Sequence, residues 1–292
     1  MDIAVLSDIH ANYEAFRSTF EECTRRGIQK YFFLGDYLGD HAYPEKTMDL
    51  IYRIRDNYDT EFIRGNKEDY WLNRSRSGSG FQGQKWKKYD STTGAAYYTY
   101  EKITKKDLEF YESLPISKVV NPNGKKEIIL MHGSHRKNNE HFVNAPMVHW
   151  MLDFEINPDM VLCGHTHIQE QYQYKNKLVT NAGSVGVSFG AKGAAQFAVL
   201  HSEGSTWNVE TVSLPYEKTL TIKALDEDGL TERAPGWTRV TKHLATYGTK
   251  MHIHVLTRAV EIGRERYGTC SWPNIPEDCW SAACDEMEAS TV

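Results

Sequence analysis

Residues 1–36 read MDIAVLSDIHANYEAFRSTFEECTRRGIQKYFFLGD and contain one complete strand–helix–strand unit. The apolar run at 3–6 predicts a buried strand. Apolar residues at helical spacing within 11–26 predict a helix that ends at Gly27, a residue common after the last helical turn. A second apolar run at 31–34 predicts another strand. This order favours a right-handed crossover and a largely parallel sheet.

The alternation of strands and helices continues along the chain. Pro44 opens a second predicted helix, and another helical stretch ends near Leu114. Further strands are predicted at 61–64, 127–131, 160–163, 171–174, 178–181, 196–200 and 207–212. The last four alternate polar and apolar residues, which predicts a second, more antiparallel sheet. The pattern at 239–266 is that of a long helix broken at Gly248. We expect a main α/β domain over residues 1–215 and a helical C-terminal extension over residues 216–292.

The composition is that of an ordinary globular protein and argues against several classes. Of the 292 residues, 40% are hydrophobic and 25% are charged, which is enough to bury a large core. The 34 Lys and Arg against 39 Asp and Glu give a net charge of -5, which argues against a surface built for duplex nucleic acid. No signal-peptide pattern or membrane-length apolar run is visible, and the five cysteines are too scattered for a disulfide framework. We expect a cytoplasmic protein with no membrane partner.

Polar residues directly follow five of the predicted strands. They are Asp8 and His10, Asp36, Asn66, His132, and the pair His165 and His167. The carboxyl ends of parallel strands meet at one edge of a sheet, which is where ligands bind in such folds. In an extended backbone, residues two apart also point to the same side. The sequence therefore predicts that these seven side chains converge.

Their chemistry favours a pair of metal ions. Two carboxylates, one amide and four imidazoles are too many ligands for one tetrahedral zinc site, and the mixed oxygen and nitrogen set suits two divalent ions such as Mn, Fe, Zn or Ni. Taken singly, each residue has an ordinary explanation: Asp8 and Asp36 could cap helices, Asn66 could be a turn residue, and His132 could be a core histidine. Their joint occurrence at strand ends favours the dinuclear site.

The segments DIH (8–10), GDYLGD (35–40), GNKE (65–68), MHG (131–133) and GHTH (164–167) resemble the ordered motifs of the calcineurin-like metallophosphoesterase superfamily. The resemblance covers about residues 1–215. It implies a four-layer αββα sandwich of two mixed β-sheets flanked by helices, here with the C-terminal helical extension. It also implies that one metal is bound by Asp8, His10, Asp36 and His167, and the other by Asp36, Asn66, His132 and His165.

The resemblance implies a metal-dependent phosphoesterase. Two cations bridged by Asp36 could hold a hydroxide that attacks a phosphomonoester or phosphodiester. The substrate would be a small phosphoester or a nucleotide. An alternative hypothesis is a catalytically weak metal-binding scaffold, an interaction subunit with the same fold.

Lys67 is a departure from the family pattern, because many members have a histidine after Gly-Asn. A lysine ammonium can face a phosphoryl oxygen, but its ordinary pKa near 10.4 makes it a poor proton donor at neutral pH. It could equally be a solvated lysine. His135 and Arg136 could partly replace the missing histidine, so the catalytic candidates are Asp36, Lys67, His135 and Arg136.

Two other segments have no assigned role in the chemistry. The basic, Gly-rich stretch at 73–90, with Phe81, Trp86 and Tyr89, is predicted to be a loop, either a lid over the site or solvated. The histidines of the His252-x-His254 repeat lie in a predicted helix, where residues two apart diverge, so we interpret them as surface or packing residues. The C-terminal extension is expected to pack on the main domain, where it could narrow substrate choice.

Overall fold

The computed structural model describes residues 1–80, 83–124 and 126–290 and contains two five-stranded sheets. The strands are β1 (Asp2–Leu6), β2 (Lys30–Phe33), β3 (Asp59–Phe62), β4 (Ser117–Val120), β5 (Ile128–Met131), β6 (Met160–Cys163), β7 (Glu170–Tyr174), β8 (Lys177–Asn181), β9 (Ala195–Glu203) and β10 (Thr206–Leu214). The helices are α1 (Tyr13–Arg25), α2 (Pro44–Asn57), α3 (Asn66–Ser77), α4 (Gly94–Glu101), α5 (Lys105–Ser113), α6 (Pro146–Phe154), α7 (Lys218–Glu227), α8 (Leu230–Arg233), α9 (Pro235–Tyr247), α10 (His252–Tyr267) and α11 (Glu277–Ala289).

Both sheets are mixed. The first has the order β10-β9-β1-β2-β3, in which β1, β2 and β3 are parallel to one another. Strand β9 is antiparallel to its neighbour β1, and β10 is antiparallel to its neighbour β9. The second has the order β4-β5-β6-β8-β7, with a parallel centre of β5, β6 and β8 and antiparallel edges. The parallel strands of each sheet end at a common edge, as the strand–helix–strand pattern predicted.

The two sheets pack face to face between layers of helices. Val5 and Phe32 of the first sheet lie in one buried cluster with Leu130 and Leu162 of the second. Helices α1 and α2 cover the outer face of the first sheet, and α6 covers the outer face of the second. The observed layers confirm the predicted αββα sandwich.

The prediction that the last four strands form a second sheet is correct for β7 and β8 but wrong for β9 and β10. Strands β9 and β10 join the first sheet instead, where Ile3 of β1 pairs with Leu200 of β9. Strand β4, which the sequence analysis missed, forms the edge of the second sheet; its Lys118 and Val119 are exposed. Alternating polarity identifies a strand that has one solvated face, but it does not identify the strand's partner.

The predicted loop at 73–90 is only partly a loop. Residues 73–77 are the last residues of α3. Trp86 is buried and packs edge-on against Trp71, with ring centroids 5.7 Å apart. Phe81 lies outside the described residues. Trp86 therefore anchors this segment in the core, and the prediction of a loop holds only after α3.

The C-terminal helices pack on one another and on the main body. The break predicted at Gly248 is confirmed, since α9 ends there and the glycine has a left-handed φ of 71°. The Glu277 carboxylate accepts hydrogen bonds from Ser91, and Trp280 Nε1 donates to Thr92 Oγ1 at 2.9 Å. Within the described residues, the helices lack the combination of length and apolar character that crossing a membrane requires. The division at residue 215 stays a prediction.

Candidate metal centre

All seven predicted ligand residues lie beyond the carboxyl ends of parallel strands. They are Asp8 and His10 after β1, Asp36 after β2, Asn66 after β3, His132 after β5, and His165 and His167 after β6. His165 is partly exposed, and the other six residues are buried or nearly so. Side chains that are distant in sequence are thus placed at one edge of the sandwich.

Several of these residues have an unusual backbone conformation. Asp8, His10, Asp36, His165 and His167 all have a positive φ, between 50° and 68°. This left-handed region is uncommon for residues other than glycine, and such residues concentrate at functional sites. The members of each pair, Asp8 with His10 and His165 with His167, were expected to point to one side because their backbone would be extended. This reason is wrong, since their backbone is not extended. Tight left-handed turns orient these side chains.

One cluster of ligand atoms contains Asp8, His10 and His167. Asp8 Oδ1 lies 3.2 Å from His167 Nε2 and 3.7 Å from His10 Nε2. The two imidazole Nε2 atoms are 3.2 Å apart. Ligand atoms that each lie about 2 Å from a shared transition-metal ion are separated by about 3–4 Å. The spacing of the three atoms matches that of ligands around one ion.

A second cluster contains Asp8, Asp36, His132 and Asn66. His132 Nε2 lies 3.5 Å from Asp36 Oδ1, 3.8 Å from Asp8 Oδ1 and 3.2 Å from Asn66 Oδ1. The other ring nitrogen of His132 lies 2.7 Å from the Leu34 carbonyl oxygen. A backbone carbonyl in this position selects the tautomer that leaves Nε2 free to bind a metal.

His165 borders the second cluster. Its ring centroid is 5.2 Å from that of His132, and its backbone N–H donates to Asp8 Oδ2 at 2.9 Å. Burial, followed by the nearby His132, lowers the pKa of His165 to about 3. Its imidazole is therefore neutral at physiological pH, which is the form that binds metals.

Two carboxylates lie between the clusters. Asp36 Oδ2 is 3.5 Å from His10 Nε2, and Asp36 Oδ1 is 3.5 Å from His132 Nε2, so one oxygen faces each cluster. Asp8 Oδ1 is close to the ligand atoms of both clusters. The sequence analysis expected only Asp36 in a bridging position, whereas the structure places Asp8 there as well.

The donor set fits a pair of divalent cations. Asp8 Oδ1 is fully buried and has no hydrogen-bond partner within residues 1–80, 83–124 and 126–290. A buried carboxylate oxygen without a donor is costly, and a cation would remove that cost. Carboxylate, amide and imidazole ligands together suit Mn, Fe, Zn or Ni. The residues present thus match the group that the sequence predicts.

The carboxylates and imidazoles of the site shift one another's pKa values. Burial alone would raise the pKa of Asp8 and of Asp36. The neighbouring histidines, His132 above all, outweigh this effect: the pKa of Asp8 lies well below its usual value, and that of Asp36 is about 2. Burial works to lower the pKa of His10 and His132, but the surrounding carboxylates raise these values to about 9 and about 10. The carboxylates are therefore ionised at neutral pH, while the raised pKa values favour the protonated form of His10 and His132. Binding of a cation by these two imidazoles would release their protons.

Asp40 is a residue whose role the sequence analysis did not identify. Its Oδ2 lies 2.7 Å from Nδ1 of His10, on the side of the ring away from the cluster. Its Oδ1 lies 3.3 Å from Lys67 Nζ and accepts a hydrogen bond of 3.1 Å from Trp237 Nε1. A carboxylate on the outer nitrogen of a ligating histidine fixes the ring orientation. The second Asp of GDYLGD was the available signal.

Glu68 was also missed, although it belongs to the GNKE motif. It is fully buried, and its carboxylate accepts hydrogen bonds from the backbone N–H groups of Gly65, Asp36 and Tyr37 at 2.8–2.9 Å. Burial and the nearby Asp36 carboxylate raise the pKa of Glu68 to about 7. The side chain joins the loops after β2 and β3, which carry Asp36 and Asn66.

The three remaining candidates occupy different positions. Lys67 lines the cavity above the clusters, and its backbone N–H donates to Asp36 Oδ1 at 2.8 Å. Burial works to lower the pKa of Lys67, but Asp40 raises it above the usual value, so the ammonium persists at neutral pH. His135 and Arg136 do not line this cavity. Both contact Glu155, at 3.1 and 3.7 Å, so binding phosphate would require these ion pairs to open.

In the His252-x-His254 repeat, His252 is a packing residue and His254 is a surface residue, in line with the interpretation from the sequence. His252 is buried, stacks on Trp237 with ring centroids 4.2 Å apart, and contacts Thr241 Oγ1 at 2.8 Å. His254 Nδ1 accepts the backbone N–H of Met251 at the start of α10.

Comparison of the sequence with known proteins gives two matches. The family model described as the calcineurin-like phosphoesterase superfamily domain matches residues 1–205. An uncharacterized protein of Methanocaldococcus jannaschii, MJ0912, is 29% identical over 256 residues, and the match covers 80% of this chain and 94% of the relative.

Solved structures share the fold at low sequence identity. The hypothetical protein PH1004 from Pyrococcus horikoshii superposes with a TM-score of 0.69 at 21% identity, covering 86% of this chain and 99% of that one. A metallophosphoesterase from Sphaerobacter thermophilus gives a TM-score of 0.61 at 21% identity, covering 78% and 95%. The sandwich is therefore a known architecture.

Proposed function

Because this chain belongs to the calcineurin-like phosphoesterase superfamily, we propose that it hydrolyses phosphomonoester or phosphodiester bonds at a dinuclear metal centre. The observation that carries the proposal is the pair of buried Asp/His clusters at the common strand edge. A structural protein has no need to bury so many coupled carboxylates and imidazoles in left-handed turns.

We propose the two ligand sets that the family resemblance implies, and the distances within each cluster support them. Asp8, His10, Asp36 and His167 would hold one ion, and Asp36, Asn66, His132 and His165 the other. The oxygens of Asp36 face both clusters, which supports a bridging role. Asp8 Oδ1 also reaches both, which makes it a second carboxylate able to hold the pair together.

Bound divalent ions would supply an activated nucleophile at neutral pH and stabilise the charge of the transition state. In the overall reaction a water oxygen forms a bond to phosphorus, the ester P–O bond breaks, and a proton from that water ends on the departing alcohol. The chain positions the substrate for this displacement. The Lys67 ammonium lines the cavity and can pair with a phosphoryl oxygen, while its raised pKa makes it a poor proton donor at neutral pH.

Turnover of nitrophenyl esters tests the proposal. We expect the full chain, loaded with manganese, to hydrolyse a p-nitrophenyl monoester or the corresponding diester. Asp36→Asn should reduce kcat at least about 100-fold, because it removes a charge between the clusters. Asp153→Asn is the matched control, since Asp153 forms only exposed contacts with Tyr174 and Lys175. No hydrolysis by the loaded chain, or an unchanged rate for Asp36→Asn, would overturn the proposal.

A further inference from the structure

A second cavity adjoins the one above the metal centre. It has room for about 210 Å³ of water-sized spheres and opens to solvent. Asp40, Lys67, Tyr70, Trp237 and Leu256 line both cavities. The two cavities are therefore neighbours, and a ligand that extends from one into the other would have one end over the predicted metal ligands.

Five of the fourteen residues that line this second cavity are aromatic, and four of these are tryptophans from two parts of the chain. Trp71 and Trp86 belong to the main body, and Trp237 and Trp272 belong to the C-terminal region. Trp71 and Trp86 support each other edge to face, and Trp237 is fixed by stacking on His252. Rigid indoles around an open space favour the binding of a flat ring.

Two buried polar atoms belong to residues that line the same cavity. Trp71 Nε1 is a donor and Gln84 Oε1 is an acceptor, and neither has a hydrogen-bond partner in the part of the chain that the structure describes. Trp71 is only 1% exposed. Unpaired buried donors and acceptors are rare in folded proteins and are costly to maintain. Both atoms are covered by neighbouring groups, so a ligand with a donor and an acceptor on its edge would pair them after rotation of the two side chains, whereas an acyl chain would leave them unpaired.

We propose that this cavity binds the base of a nucleoside phosphoester whose phosphate lies at the metal centre. A nucleobase is flat, stacks on indole rings and carries donors and acceptors along its edge. Lys67 lies where the two cavities meet and supplies a positive charge next to the phosphate. The inference rests on the proposed phosphoesterase function and specifies its substrate class.

Calorimetric titration of the manganese-loaded full chain tests the inference. The probes are AMP, GMP, CMP and UMP, each compared with ribose 5-phosphate, which has the same sugar and phosphate but no base. We expect at least one nucleotide to bind about ten-fold or more tightly than ribose 5-phosphate, the advantage that stacking of one base supplies.

Two variants locate the binding of the base. Trp272→Ala removes a partly exposed wall of the cavity, and Gln84→Leu removes the unpaired acceptor. Each should reduce the advantage of the nucleotide at least three-fold and leave the affinity for ribose 5-phosphate unchanged. Trp150→Ala is the matched control, because Trp150 is 50% exposed on α6 and lines neither cavity.

The outcomes separate this inference from the proposed function. Equal affinities for all four nucleotides and ribose 5-phosphate, in a chain that hydrolyses nitrophenyl esters, would overturn the inference and leave the function standing. An advantage of the nucleotide that neither cavity variant reduces would also overturn the inference. Nucleotide binding that depends on Trp272 and Gln84, in a chain without hydrolytic activity, would support a base-binding cavity and overturn the phosphoesterase function.

Discussion

Lys67 lies at the position after Gly-Asn, where the family pattern often has a histidine. In the structure it makes two separate contacts. Its backbone N–H donates to Asp36 Oδ1, a bond that any side chain at this position preserves. Its ammonium pairs with Asp40, whose other oxygen contacts the outer ring nitrogen of His10. The side chain therefore combines a charge that faces the cavity with an indirect link to a ligand of the first cluster.

Substitution of Lys67 tests whether that charge acts on the substrate. We expect Lys67→Met to lower kcat/KM for a phosphoester about 10- to 100-fold, because a charge that faces the phosphoryl oxygens is lost. The metal content should be unchanged, and Lys67→Arg should recover part of the rate. Lys105→Met, on an exposed helical turn, is the control. A full rate for Lys67→Met would restrict this lysine to its pairing with Asp40.

The loops after β2 and β3 are held together by a single buried side chain. The Glu68 carboxylate accepts hydrogen bonds from the backbone N–H groups of Gly65, Asp36 and Tyr37. One carboxylate therefore sets the relative position of the two segments that carry the predicted ligands Asp36 and Asn66. The Glu68 side chain also caps the start of α3, because Gly65 is the N-terminal cap residue of that helix. This element has a structural role that is independent of bound ions.

We expect Glu68→Gln to lower the free energy of unfolding by about 1–3 kcal/mol, because the amide presents an NH₂ group to backbone donors and leaves a buried donor unpaired. Urea denaturation of the chain after chelation measures this without any contribution from metal. Glu112→Gln changes an exposed ion pair with Arg76 and should shift stability by less than about 0.5 kcal/mol. Equal stability of Glu68→Gln and the wild type would contradict the role given to Glu68.

The sequence predicts the elements of this fold better than it predicts their partners. Strand β6 and the helix opened by Pro44 lie where local patterns placed them, because buried runs and N-terminal prolines are local signals. The pairing of β9 with β1 joins residues about 195 positions apart, and no local pattern encodes it. Trp86 was placed in a loop because its neighbours are basic and Gly-rich, although its own indole is buried.

The same contrast applies to the site. Ligands at strand ends could be predicted because each one follows a recognisable apolar run. Asp40 and Glu68 could not, because their roles consist of contacts with His10 and with backbone N–H groups that only the folded loops bring near. The shared position of Asp8 depends on the rotation of one carboxylate, which spacing in the sequence does not specify.

Considered as a whole, the molecule combines a known sandwich with a C-terminal region that completes the surroundings of its site. Trp237 of α9 donates to Asp40, stacks on His252 and lines both cavities. The extension therefore contacts Asp40 through Trp237 and Thr241, and it forms part of the walls of both cavities. The extension packs on the main body as expected, and its effect on substrate choice stays a prediction.

The proposed centre consists of seven side chains that hold two cations, and counting bound metal tests this most directly. The full chain, incubated with excess manganese and then passed through a desalting column, should retain about two ions per chain by mass spectrometry of its metal content. Asp36→Asn should retain fewer, and Asp153→Asn should match the wild type. Fewer than about one ion per wild-type chain, with zinc as well as with manganese, would contradict the assignment of these residues as a dinuclear centre.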